Sequence, residues 1–185
     1  MDHKIIFPQA LTNAVMDAFG GVYHLPQAIS SDDSLYGLDG ILSTIYLKGD
    51  IVGKVSLFMK SESAAHVIAA MLNVDELAPE SAETLDGVGE LLNMVAGRLK
   101  TRLDEHHLRF EISVPSTRLT SVISLGKWEN NLEQIFSADG TSFKVLLSYR
   151  LASKEDTAPP PATAQVKLKL SAAELLKAAL FKKKS

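Results

Sequence analysis

Cysteine is absent from all 185 residues. That absence excludes a disulfide framework, a thiolate nucleophile and every thiolate zinc site. Long apolar runs are also missing. No segment approaches the roughly 20 apolar residues of a membrane span, and Met1–Pro8 holds no apolar run of signal-peptide length. The cytoplasm is the expected compartment. A basic body is missing too. Six of the lysines fall in residues 159–185 against one acid, Glu174, so the net charge of -3 divides into +5 there and -8 over residues 1–158. A phosphate backbone needs a basic surface, so nucleic acid is not the expected ligand. There is no G-x-x-x-x-G-K-[ST], no G-x-S-x-G and no calcium-loop spacing, Asp32-Asp33 included.

What is present begins with 46% apolar residues, enough for one real core. Lys4–Phe7 reads as a short strand, and Pro8 sits at a plausible helix start. Ala10, Leu11, Ala14, Val15, Ala18 and Phe19 then recur at helical spacing until Gly20-Gly21. Residues 22–36 read as loop. Ile41–Leu47 and Ile51–Met59, split by Lys48-Gly49-Asp50, predict a hairpin. Ser61–Leu72 predicts a helix with Ser61 as N-cap. Pro79 opens a longer helix reaching about Leu103, with Glu80 and Glu83 in its first turn, where acids suit the dipole.

Glu111–Val114 reads as a strand stopped at Pro115, and Thr117–Leu125 as another. Leu132–Ala138, Asp139-Gly140 and Ser142–Arg150 predict a second, tight hairpin. Helices with antiparallel strands give an α+β layer architecture, antiparallel sheet packed with helices. A weak internal pseudo-repeat aligns Leu11–Gly20 with Val88–Gly97. Residues 153–170 read as a linker around Pro159-Pro160-Pro161, semi-rigid and extended. Residues 171–185 read as a basic amphipathic tail. It is a docking helix for a partner this sequence does not name, or a solvated, disordered appendage, in preference to a membrane-surface helix.

The informative segment is Leu85–Leu103. At about 100° per residue, Leu85, Val88, Leu92, Val95, Leu99 and Leu103 share one face and should meet the core. Asp86, Glu90, Asn93 and Gly97 form a second stripe nearly opposite, with no Lys or Arg among them. Gly87, Gly89 and Gly97 each cost a helix interior roughly 1 kcal/mol relative to alanine. Gly97 leaves bare backbone where another surface can approach. A polar face opposite an apolar one is also what any surface helix shows, and tight packing alone would equally account for Gly87 and Gly89. Adjacent His106 and His107 point apart and do not suggest a shared metal. Trp128 reads as core or edge packing.

Asp86, Glu90, Asn93 and the later Pro115 resemble the signature of the CheC/CheX/FliY chemotaxis phosphatases. The text GVGELLNMVAGRLKTRL, ISVPS and KIIFPQAL is most similar to CheX. The resemblance covers roughly residues 1–152 as one CheX-like domain with a CheC-like fold. It implies hydrolysis of the aspartyl phosphate on a CheY-like receiver domain. Asn93 would orient the attacking water, and Glu90 would pair with the receiver's lysine. Asp86, Met94 and Gly97 would border the partner contact, and Pro115 would be structural. The resemblance implies no cofactor on this chain, Mg²⁺ on the receiver, and a homodimer. Under the repeat alignment Asn13 and Met16 face Glu90 and Asn93, so one site per chain is expected. The alternative is a non-catalytic adaptor or phosphate sink that binds a receiver or a flagellar-switch component.

Overall fold

The computed structural model describes residues 3–30, 35, 39–121, 123 and 127–153. The elements are α1 (His3–Gly20), β1 (Gln27–Ile29), β2 (Gly40–Gly49), β3 (Ile51–Lys60), α2 (Ser61–Leu72), α3 (Ala82–Asp104), β4 (Phe110–Ile112), β5 (Ser116–Thr120), β6 (Asn130–Ala138) and β7 (Thr141–Leu151). All pairings are antiparallel, in the order β1-β6-β7-β3-β2, with β4 and β5 sharing the outer edge of β2. Both expected hairpins form. Asp139 and Gly140 have φ of 48° and 73°, the pair of positive values a tight two-residue turn requires.

The sheet's odd-numbered face carries the core. Ile41, Ile45, Val55, Leu57, Met59, Phe143, Val145 and Leu147 are all buried there, because side chains two apart share a face of a strand. α1 lies over this face: Phe7 stacks on Tyr149 with ring centroids 4.2 Å apart, and Phe19 on Phe143 at 4.1 Å. α3 lies beside α1, joined at its C-terminal end by an ion pair of Arg102 with Asp17. Of the six apolar positions expected to face inward, Val88, Leu92, Val95, Leu99 and Leu103 are fully buried and Leu85 is half-buried. Each full burial contributes roughly 1.5–3 kcal/mol.

The pseudo-repeat has a structural counterpart. Exchanging β1, β2 and β3 for β5, β6 and β7 turns the order β1-β6-β7-β3-β2-β5 into itself reversed. Leu11, Ala14, Val15, Ala18 and Phe19 of α1 are buried, as are the aligned Val88, Leu91, Leu92, Val95 and Ala96 of α3.

Several local expectations are corrected. Residues 4–7 are helical, not a strand, and Pro8 lies inside α1 rather than at its start. The spacing Phe7, Ala10, Leu11, Ala14 runs straight through the proline, and all four are buried. Pro8 withholds one backbone N–H, yet its carbonyl accepts from Thr12 Oγ1 at 3.0 Å and Gln134 Nε2 at 3.1 Å, tying α1 to β6. The 22–36 stretch contains strand β1, whose three residues pair with Ile135–Ser137. Ser61 is the first residue of α2, not its cap. Lys60 occupies the cap position without a side-chain bond. α3 starts after Pro79 and Glu80, capped by Ser81, whose Oγ accepts from Thr84 N at 3.2 Å. Of the two acids only Glu83 lies in the first turn. The expected strand Thr117–Leu125 is shorter, ending at Thr120; its residues 122 and 124–125, the linker from 154 and the basic tail lie outside the described residues.

Candidate functional site

α3 is held on three sides, and what remains free is the polar stripe. One flank meets α1 through Arg102 and Asp17. Another meets α2 at Gly87, where a Cβ would collide with Ile68 Cγ2. The third meets the sheet edge at Gly89, whose Cβ position lies 3.0 Å from Thr117 Oγ1 and 3.6 Å from Pro115 Cγ. Near the C-terminal end of α3, Lys100 Nζ reaches Glu111 Oε2 of β4 at 3.2 Å. Gly87 and Gly89 are therefore packing glycines. Gly97 differs: nothing lies within 4 Å of the position a Cβ would take.

Asp86 and Glu90 are exposed, while Asn93 and Gly97 are half-buried. Residues i and i+3 or i+4 on a helix are surface neighbours, so the carboxylates and the amide form one continuous face. Among the described residues, Asp86, Glu90 and Asn93 make no side-chain hydrogen bond or ion pair. Met94 is half-buried and packs against the core, at the border of the stripe. Pro115 is half-buried between β4 and β5, next to Gly89. The segment that carries the stripe is acidic in sequence: residues 61–97 contain Glu62, Asp75, Glu76, Glu80, Glu83, Asp86 and Glu90 and no Lys or Arg. Such a surface attracts a cationic group on a partner.

The arrangement has two outward acceptors and an uncharged amide that both donates and accepts. None of the three is committed to another described residue of its own chain. Asn13 and Met16, the aligned positions on α1, offer an amide and a thioether and no carboxylate. Among the described residues no group of three or more His, Asp or Glu side chains is placed to hold a metal ion. A hollow of about 210 Å³ on the opposite face of the sheet is lined by Thr44, Lys54, Ser56, Arg118 and Ser148 among others. No stripe residue lines it, so enclosure and the candidate chemistry do not coincide here. No helix among the described residues is long and apolar enough to cross a membrane.

The one-faced helical layer and the pseudo-symmetric antiparallel sheet define the fold of CheX and CheC-like chemotaxis proteins. The solved CheX of Vibrio vulnificus superposes with a TM-score of 0.68 at 19% identity, over 78% of this chain and 99% of that one. A CheX–CheY–BeF3–Mg²⁺ complex from Borrelia burgdorferi gives 0.59 at 22% identity, over 81% and 99%. FliY of Thermotoga maritima gives 0.53 at 14%, over 75% and 84%. Comparison with curated protein sequences finds no match. The family model described as "Chemotaxis phosphatase CheX" matches residues 41–136, just over half of the chain. The chain belongs to the CheX family of chemotaxis phosphatases.

Proposed function

We propose that this chain dephosphorylates a CheY-like receiver domain, with Glu90 and Asn93 entering the receiver's active centre. The observation that carries the reading is the exposed carboxylate and neighbouring amide on α3, neither bonded to another side chain among the described residues. In the reaction a water oxygen attacks the phosphorus, and the bond from phosphorus to the receiver's aspartyl oxygen breaks. The aspartate carboxylate is regenerated and inorganic phosphate leaves. Positioning dominates such chemistry. Asn93 holds the water in line without adding negative charge beside the phosphoryl group. Glu90, one turn earlier, pairs with the receiver's lysine and fixes the register. Asp86, Met94 and Gly97 border the contact, and Gly97 leaves room for the partner's backbone. Mg²⁺ belongs to the receiver, and this chain forms no covalent intermediate. The family match and the CheX–CheY complex of Borrelia burgdorferi support the reading. A second copy of the chain is its proposed standing partner, checked by mass in solution.

The test follows decay of a receiver phosphorylated with acetyl phosphate and Mg²⁺. Wild type accelerates decay, and Asn93→Ala loses about a hundredfold in kcat with an unchanged melting temperature. Equal decay with both proteins refutes the assignment.

A further inference from the structure

Between the two contacts that fix α3 to the sheet edge, the helix and the edge run side by side. One contact joins Gly89 to Pro115 and the other joins Lys100 to Glu111. As α3 advances from 89 to 100, the edge recedes from 115 to 111. At about 1.5 Å per helical residue, Asn93 lies roughly a third of the way along this span. The edge residues at that height are Ser113 and Val114. Asn93 is also one turn above Gly89, so it leans toward the same side of the helix.

Val114 is 85% exposed, more than any other large apolar residue among those described. Its backbone is nonetheless tightly held. Ser113 N donates to Tyr46 O at 2.9 Å, Tyr46 N donates to Ser113 Oγ at 2.9 Å, and Ser113 Oγ donates to Val114 O at 2.9 Å. Pro115 follows, which restricts Val114 to extended backbone. β-Branching limits its χ1 as well. An apolar side chain presented so rigidly loses little entropy when covered.

We infer that Val114 is a docking residue for the receiver, covered by an apolar part of its surface when Glu90 and Asn93 engage. The inference rests on the proposed function and adds the sheet edge to the contact. The occupant follows from continuity: a body resting on the 86–97 stripe and reaching Asn93 meets residues 113–114 next. Val114 anchors the partner and does not touch the reacting atoms, so its effect belongs in KM.

The experiment measures steady-state dephosphorylation of a CheY-like receiver from the same organism, kept phosphorylated with acetyl phosphate and Mg²⁺. Val114→Ser raises KM about tenfold and moves kcat far less. Val114→Ile retains a KM near wild type. Melting curves of both variants stay close to wild type, because the residue contributes nothing to the core. An unchanged KM in Val114→Ser overturns the inference, and so does a loss confined to kcat. If Asn93→Ala has still lost its kcat, the proposed function stands without Val114. If Asn93→Ala turns over normally, both fail together.

Discussion

Three glycines lie within one helix, and each answers to a different neighbour. Gly87 meets Ile68 of α2, Gly89 meets Thr117 and Pro115, and Gly97 meets open space. Gly87→Ala is expected to destabilise by roughly 1–3 kcal/mol through overpacking. The double variant with Ile68→Ala should lose less than the sum of the two single changes, because they share one contact. Urea unfolding of all three variants checks this. Gly97→Ala has the opposite sign, gaining up to about 1 kcal/mol from helix propensity while raising KM for the receiver. A gain in stability with no change in KM would remove Gly97 from the docking face. Tyr149 supplies a pH signature. Burial first, and the Glu129 carboxylate second, push its phenol above the ordinary value of 10.0. The folded pKa exceeds the unfolded one, so this contribution is complete below about pH 10 and is lost as pH rises through the folded value. Melting temperatures of Tyr149→Phe should therefore fall less steeply above pH 10 than those of wild type.

At the scale of elements, α3 depends on its start. Ser81 Oγ accepts from Thr84 N, and Thr84 Oγ1 donates to Ala78 O at 2.9 Å, closing the turn before the helix. Ser81→Ala should cost about 1 kcal/mol, read in urea, with kcat preserved where the protein remains folded. The pattern of α3 is legible because a long helix repeats its signal: five of the six apolar positions on its periodic face are fully buried. Its first residue was less legible, since Pro79, Glu80 and Ser81 are all good N-terminal residues and only the geometry of Ser81 selects among them. α1 was misread at its N-terminal end because proline normally marks a boundary, whereas here buried Phe7 continues the stripe across it. β1 was missed because three residues are too few to show a period. Val114 was invisible for a different reason. A valine ahead of a proline reads as an ordinary strand end, and its 85% exposure follows from where β2 and α3 place the corner.

At the scale of the molecule, the core closes with β7. Ala152 N donates to Asp50 O at 2.9 Å, just past the last paired residues, Ile51 and Leu151. A chain ending at Ser153 is therefore expected to keep the melting temperature within a few degrees and the receiver-phosphatase kcat of the full protein. A large loss of either would assign residues 154–185 to the domain itself. The antiparallel architecture was readable from two hairpins and two long helices. The symmetry relating its halves was not: it resides in strand order, and the sequence alignment touches only ten residues of each half.

The midline of the sheet carries one more consequence, for synthesis. Strands β3 and β7 meet along nine residue pairs from Ile51↔Leu151 to Met59↔Phe143, contacts between residues far apart along the chain. Closing such distant pairings is entropically slow. During translation β3 is made early and waits with its inner edge bare while more than eighty residues are added. The nascent chain is most exposed to aggregation in that interval, and the exposure ends only when the ribosome has released the final strand.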